Sequence, residues 1–202
     1  NWIVPQPRTL TSYVQGNDAQ TVYESVKDID ASCLLEVNPE NNTYFTSDFL
    51  YAFESSNPNI TFKYILITDH DKAVGLATIQ TIELGIDVIL KNIKLANWIK
   101  KTVNYFFCKD HINIMFCGNI FLSGEHGIII NDSSDKESVV SEIGKAIKSI
   151  TKQTKPLHAV FIKDFVKESR VLTDKFIDFD FSPMHVEPNM IIALKEEWKT
   201  FE

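Results

Sequence analysis

The sequence has little cysteine, no long apolar run and no cluster of basic residues, and each shortage excludes a class of protein. Its three cysteines are Cys33, Cys108 and Cys117 among 202 residues. An odd number at no framework spacing is typical of free thiols in a reducing compartment and excludes a disulfide scaffold. No apolar run approaches the roughly 18 residues that a membrane helix needs, so we expect no membrane span.

Positive charge is also scarce. Lys and Arg number 20 against 27 Asp and Glu, which gives a formal net charge of −7 at pH 7. Binding to DNA or RNA needs a clustered basic face, and the lysines here are scattered, so we expect no nucleic-acid partner. Residues 1–10 lack the charged start and apolar run of a secretory signal, so we expect a cytoplasmic protein.

The first half of the chain predicts a helix followed by a hairpin. Thr46 or Ser47 is expected to cap a helix whose apolar residues recur at spacings of three and four. Residues 62–68 and 73–84 are rich in β-forming residues and are joined by the turn-forming residues 69–72. We therefore expect a β-hairpin directly after the helix.

The second half predicts one clear amphipathic helix between strands. Ser134 and Glu137 have the spacing of a capping box, and residues 138–151 follow it with the most regular apolar stripe in the chain. The other predicted elements are helices at 21–29, 98–107, 168–177 and 196–202, and strands at 87–93, 111–119, 127–130, 158–164, 179–181 and 190–194.

This order predicts an α/β (α+β) protein in which a mixed, partly antiparallel central sheet is flanked by helices. We expect residues 44–195 to form the domain and residues 1–43 to form an N-terminal extension that packs on it. Residues 196–202, EEWKTFE, are expected to begin a helix that continues into a C-terminal second domain.

The segment richest in potential chemistry is FCGNIFLSGEHGIII, at residues 116–130, which predicts a strand, a tight polar turn and a second strand. Several residues of the segment and its surroundings could bind a metal. A zinc site needs two close pairs of ligands, and a second pair is not present in the pattern, so we predict no metal site. Cys117 lacks the local signature of a catalytic nucleophile, so a core cysteine is the favoured interpretation. The possible metal ligands are Cys108, His111, Cys117, Glu125 and His126.

A phosphate-binding role for this segment is disfavoured. Its glycines lie well before the helix that begins near residue 138, and an open helix N-terminus is what binds anions. Asp132, Asp135 and Glu137 at the helix start repel a phosphate.

We instead predict that the turn contacts substrate. Glu125 and His126 are the candidate catalytic residues, as a general-base pair, although adjacent residues of a strand face opposite ways. Asn119, Ser123 and Gly124 are the candidate substrate-binding residues, because ligands in open sheets bind beyond the ends of central strands.

The element order resembles a known family. A helix, the hairpin FKYILITDHDKAVGLATIQ, the strand INIMFCGN, the helix VVSEIGKAIKSI and the strand HAVFIKD, followed by a helix and a β-pair, are similar to the acyl-CoA N-acyltransferase (GNAT) fold. In that family a central strand lines the thioester of the cofactor, and a Gly-rich loop at the next helix binds its pyrophosphate. Here that loop is replaced by the acidic stretch NDSSDKES.

The resemblance is therefore to the first half of tandem, Fem-type acyl or aminoacyltransferases, in which one unit is degenerate. It implies transfer of an acyl or aminoacyl group to the amine of a small molecule or peptide. Acetyl-CoA or another acyl-CoA would be bound mainly by a second unit, and this chain would be the non-catalytic half. The alternative from the residues is a non-enzymatic binding or assembly module with a degenerate GNAT fold.

Overall fold

The computed structural model of the protein describes residues 9–15, 18–85, 111–154, 156–163, 165 and 169–184. Within them lie seven strands and four α-helices, and none of these helices is long and apolar enough to cross a membrane. The strands are β1 (Thr9–Gln15), β2 (Asp18–Tyr23), β3 (Ile60–Asp69), β4 (Lys72–Gly85), β5 (His111–Cys117), β6 (Ile128–Ile130) and β7 (Ala159–Ile162). The helices are α1 (Ala31–Val37), α2 (Ser47–Ser56), α3 (Lys136–Gln153) and α4 (Arg170–Thr173).

All seven strands belong to one mixed sheet. The strand order is β1-β2-β3-β4-β5-β7, and β6 pairs with β4 off this path. Every pairing is antiparallel except that of β5 with β7. This confirms the predicted fold class, since the sheet is mixed and helices cover it. Strands β1 and β2, from the predicted N-terminal extension, are the first two strands of that sheet.

The predicted hairpin is confirmed, with a shorter turn than expected. Asp69 pairs with Lys72, so only His70 and Asp71 form the turn. Their φ angles are 47° and 64°, and two consecutive positive φ angles match the right-handed twist of the flanking strands.

Both faces of the sheet are buried at β3. Neighbouring residues of a strand face opposite sides, and β3 shows this directly. Ile65 and Ile67 pack with the apolar stripe of α3, whereas Tyr64 and Leu66 pack with residues of α1 and α2. The sheet is therefore the middle layer of three.

Helix α3 is confirmed, but the predicted capping box is wrong. The side chain of Asp135 caps the helix by accepting from the backbone N–H of Glu137 and of Ser138. The hydroxyl of Ser134 donates instead to the carbonyl O of Asn131. Asp135 is one residue closer to the first turn of α3 than Ser134 is. Its carboxylate also interacts favourably with the helix dipole.

The predicted strand-turn-strand at residues 116–130 is wrong as a hairpin. Strands β5 and β6 do not pair with each other; each pairs antiparallel with β4, on residues 79–85 and 75–77 respectively. Residues 118–127 therefore form a loop between two pieces of one interrupted strand.

Three further predictions are corrected. Residues 21–29 contain the end of β2 and a short 3-10 helix, Val26–Asp28, where one helix was expected. Alternating polar and apolar residues in β2 pair with β3, and this pairing outweighs local helix preference. The predicted helix at 168–177 is a single turn, α4, followed by the 3-10 helix Asp174–Phe179, so that Phe179 begins no strand. The predictions for residues 87–93, 98–107, 190–194 and 196–202 lie outside the described residues.

Candidate functional site

The loop at residues 118–127 is closed at its base by hydrogen bonds to one residue of β4. The backbone N–H of Thr78 donates to the carbonyl O of Gly127 at 2.8 Å, and the N–H of Gly118 donates to the carbonyl O of Thr78 at 3.0 Å. A compact loop whose ends meet in this way is an Ω-loop, a type of loop that is frequently functional.

Two glycines allow the ends of the loop to meet. A Cβ on Gly127 would lie 2.7 Å from Cα of Gly118 and 3.0 Å from its backbone N. Gly118 also has a φ of +133°, which side-chain-bearing residues rarely adopt. The base of the loop therefore requires glycine at both positions.

Buried amide side chains set the path of the loop after Gly118. Oδ1 of Asn119 accepts from the backbone N–H of Phe121 at 2.9 Å and of Leu122 at 3.1 Å. Oε1 of Gln80, on β4, accepts from the N–H of Ile120 at 2.9 Å. These bonds satisfy three consecutive backbone amides that have no strand partner.

Lys163 holds the loop from the far side of β5. Its Nζ donates to the carbonyl O of Asn119 at 2.8 Å and of Leu122 at 3.1 Å. Its Cγ would lie 2.7 Å from a Cβ on Gly118. The parallel pairing of β5 with β7 ends at a hydrogen bond in which Lys163 N–H donates to the carbonyl O of Cys117 at 3.2 Å. The Lys163 side chain lies just beyond this bond.

A small cavity lies between the loop, helix α2 and the sheet. Its volume is about 10 Å³, which is close to the lower limit for one water molecule. Most of the wall is aromatic or aliphatic, and the polar groups come from β3, β4 and the loop. The lining residues are Tyr44, Phe49, Leu50, Phe53, Phe62, Tyr64, Thr78, Gln80, Asn119 and His126.

His126 forms the part of the cavity wall nearest the end of the loop. Its ring lies against that of Tyr44, with centroids 3.9 Å apart and an angle of 34° between the planes. Its backbone N–H donates to the carbonyl O of Gly124 at 2.8 Å. Nδ1 of the imidazole is buried, and the described part of the chain offers it no hydrogen-bond partner. Buried polar side-chain atoms are paired in the large majority of cases, so Nδ1 of His126 stands apart from the other polar atoms of the wall.

The opposite wall is anchored by a carboxylate. Glu54 on α2 accepts from the hydroxyl of Ser25 at 2.7 Å, from the backbone N–H of Val26 at 3.1 Å and from the hydroxyl of Tyr64 at 3.1 Å. Burial, and then the charge of Glu54, raise the pKa of Tyr64 above its usual value. Tyr64 therefore stays protonated and donates to Glu54.

Cys117 is a core thiol, as the sequence favoured. It is buried in the cluster beneath α3, and burial raises the pKa of its thiol to about 12. The thiolate is the reactive form of cysteine, so Cys117 is no nucleophile at neutral pH. Within the described ranges, no group of three or more His, Cys, Asp and Glu side chains could hold a metal ion.

The structure brings together two of the five predicted site residues. Asn119 and His126 both line the cavity. Ser123 is exposed on the loop, and Gly124 has a φ of +110° next to the His126 ring. Glu125 lies on the same loop but is not among the lining residues.

Sequence reasoning missed the residues that other elements contribute. Tyr44, Gln80 and Lys163 all contact the loop or the cavity, yet they are distant from it in sequence. A signal was present in β4, because Thr78 and Gln80 are polar residues two apart in the most apolar part of the strand, and both are buried. Buried polar residues of this kind usually mark a specific hydrogen-bonding site.

Comparisons with known proteins identify no family. No family model matches the sequence, and no curated protein matches it. Among solved structures, the chain is similar to a possible acetyltransferase from Clostridium difficile 630, with 10% sequence identity over 87% of this chain and 99% of the other. The TM-score is 0.45, and a likeness at that level carries no argument about function.

Proposed function

We propose that the protein is an acyltransferase-like protein that moves an acyl or aminoacyl group to an amine, and that the 118–127 loop forms the acceptor side of the site. The first support is the order of the described elements, which is α2, β3–β4, β5, α3, β7 and α4. The resemblance to the GNAT fold depends on this order. The parallel pairing of β5 with β7 across α3 is the second support.

The observation that carries the proposal is the placement of His126. An imidazole titrates near neutral pH, and a general base works best when its pKa is near the working pH. His126 lines a partly polar cavity, and its buried Nδ1 lacks a partner among the described residues. It is therefore a candidate to accept a proton there.

The chemistry assigned to the loop is proton removal from the acceptor. A protonated amine gives one proton to His126, and its nitrogen lone pair then forms a bond to the carbonyl carbon of the donor. The bond from that carbon to sulfur or to the ester oxygen breaks, and the leaving group takes up a second proton, which the new amide nitrogen loses.

The donor would be held elsewhere. Asp135 already accepts from two of the free amides at the start of α3, and Lys136 there is paired with Asp132 at 2.6 Å. A pyrophosphate would meet carboxylates at this helix start. Acetyl-CoA or another acyl-CoA is thus proposed to bind mainly to a C-terminal second unit of the Fem type.

The experiment compares His126→Gln with His70→Gln, on the exposed β3–β4 turn, in acyl transfer to a panel of amines, using the chain extended to the proposed second unit. Loss of most of the activity only in His126→Gln supports the proposal. Full activity in His126→Gln removes His126 as the base. No transfer by the extended chain and no heat of binding with acetyl-CoA would end the enzymatic interpretation.

A second function is that of a binding or assembly module without catalysis. It is favoured by the carboxylates at the start of α3 and by the small size of the cavity. In that case Lys163 and the loop are purely structural. The discriminating measurement is isothermal titration of this chain and of the extended chain with acetyl-CoA. A module binds in neither form, whereas the acyltransferase binds in the extended form.

A further inference from the structure

Two side-chain amides at the cavity have fixed orientations. Oε1 of Gln80 accepts from Ile120 N–H, and Oδ1 of Asn119 accepts from Phe121 N–H and Leu122 N–H. Each oxygen is thereby assigned, so the amide nitrogens Nε2 of Gln80 and Nδ2 of Asn119 remain as donors. The residues are only 3% and 6% exposed, so bulk water hardly reaches them.

The third polar group is complementary to these donors. Nδ1 of His126 is buried and lacks a partner among the described residues. In a neutral imidazole one nitrogen donates and the other accepts. Two donors and one acceptor around one space are what a single hydroxyl-bearing oxygen satisfies.

The size of the cavity matches such an atom. Its volume of about 10 Å³ is near the minimum for one water, and a buried water needs two to four polar partners. The aromatic part of the wall, such as Phe53 and Phe62, supplies no competing hydrogen bonds. The hydroxyls of Tyr64 and Thr78 also lie in the wall, but they already donate to Glu54 and to the carbonyl O of Gly127. Gln80, Asn119 and His126 therefore supply the remaining buried polar atoms.

We propose that this cavity is a binding site for one oxygen atom, which in the free protein belongs to a water molecule. The water accepts from Nε2 of Gln80 and Nδ2 of Asn119, and it donates to Nδ1 of His126. This assignment fixes the tautomer of His126, because Nδ1 is then the acceptor and the ring proton is on Nε2.

The ligand class that can replace the water follows from the donors, and this step rests on the proposed function. A hydroxyl oxygen fits, because it accepts from the two amide N–H groups and donates to Nδ1 of His126. A carbonyl oxygen would instead set its lone pairs against that of Nδ1, and an ammonium would face two donors. The site would thus hold a hydroxyl group of the acceptor.

Two measurements on the unliganded protein test the water site without any assay of activity. A high-resolution crystal structure is expected to show one water within hydrogen-bonding distance of all three nitrogens. NMR of ¹⁵N-labelled histidine in mildly alkaline solution is expected to show the proton of His126 on Nε2. A dry cavity, or a proton on Nδ1, would overturn the proposal.

Asn119→Asp is the sharpest variant, because it keeps the oxygen that accepts from Phe121 N–H and Leu122 N–H and replaces only the donor. A carboxylate oxygen at that position is expected to move the ring proton of His126 from Nε2 to Nδ1. Gln80→Glu makes the same change on β4 and retains the acceptor for Ile120 N–H. Ser123→Ala, on the exposed part of the loop, is the control and should leave the ring proton on Nε2. An unchanged His126 in both acidic variants would contradict the proposal.

The outcomes also separate the two proposals. If the water and the Nε2 tautomer are found but acyl transfer is absent, the oxygen site stands and the proposed function fails. If the extended chain is active but the cavity is dry in the free protein, the proposed function stands and the oxygen site fails. The role for an acceptor hydroxyl fails separately if Asn119→Asp transfers acyl groups at the full rate.

Discussion

Gly118 and Gly127 touch each other through their backbones, and this contact closes the loop that carries His126. A Cβ on Gly127 would lie 2.7 Å from Cα of Gly118, a separation that real side chains do not reach. Both residues also bond to the backbone of Thr78, so neither can move away without breaking a bond to β4.

Gly127→Ala is therefore expected to destabilise the protein. The obstructing atoms belong to backbone, which cannot rotate away, and forced overpacking typically costs about 1–3 kcal/mol. Chemical denaturation with guanidinium measures the loss. Ser123→Ala, in the exposed part of the same loop, should leave the stability within about 0.5 kcal/mol. Equal stability of the two variants would mean that the contact at the base of the loop is not as close as described.

Asp135→Ala should weaken helix α3 more than Ser134→Ala does. Oδ1 of Asp135 accepts from Glu137 N–H at 3.1 Å and Ser138 N–H at 3.4 Å, and removing a helix cap typically costs about 1 kcal/mol. Ser134→Ala loses a bond to the Asn131 carbonyl but leaves the cap in place. Thermal unfolding of both variants tests this order, and a larger loss in Ser134→Ala would favour the capping box that the sequence predicted.

Tyr64→Phe should reduce the loss of stability in strongly alkaline solution. The pKa of Tyr64 is raised in the folded protein, so folding favours the protonated form. Its contribution is complete below the ordinary tyrosine pKa of about 10 and is lost as the pH rises above that value. At pH 7 the variant should instead be about 1 kcal/mol less stable, because the bond to Glu54 is lost. Denaturation curves between pH 7 and the alkaline limit measure both effects, and parallel curves for the two proteins would contradict the assignment.

Cys117 should resist alkylation until the protein unfolds. Its pKa is raised from 9.0 to about 12 by burial, so little thiolate is present at pH 8. Cys33 is only partly buried and is expected to react first, although burial and the nearby Asp30 and Glu36 raise its pKa too. Iodoacetamide labelling followed by peptide mass spectrometry separates the two sites. Labelling of Cys117 at the rate of Cys33 in the native protein would refute its burial.

The same raised pKa makes Cys117 a second source of alkaline sensitivity. A group that stays protonated in the folded state stabilises it fully below the unfolded pKa, here about 9.0, and this contribution disappears as the pH rises towards 12. Cys117→Ala should lower the slope of stability against pH in that range. An unchanged slope would show that burial does not keep the Cys117 thiol protonated.

The elements that the sequence predicted well have strong local signals. The α3 stripe, the Thr46 cap of α2, which accepts from Phe49 N–H, and the β3–β4 hairpin each depend on residues close together in the chain. Periodicity and cap residues report such local contacts directly. Fold class follows from the order of these elements, and for that reason it could also be predicted.

The predictions failed where distant residues decide the structure. Residues 111–119 and 127–130 look like the arms of a hairpin, but β4 is long enough to pair with both pieces on one edge. The loop between them is held by Gln80 and Lys163, which lie 40 residues or more away in sequence. Of the predicted site, Asn119 and His126 could be found from polarity alone, whereas Tyr44, which stacks on His126, could not.

The interruption between β5 and β6 has a consequence for how the protein can change over time. Because both ends of the loop attach to the single residue Thr78, the flanking pieces keep their register on β4 whatever the loop contains. Insertions, deletions and replacements between the two glycines can therefore alter the wall of the cavity without disturbing the sheet. Sequence variation among descendants of this chain should concentrate at residues 119–126, whereas Gly118 and Gly127 should be retained.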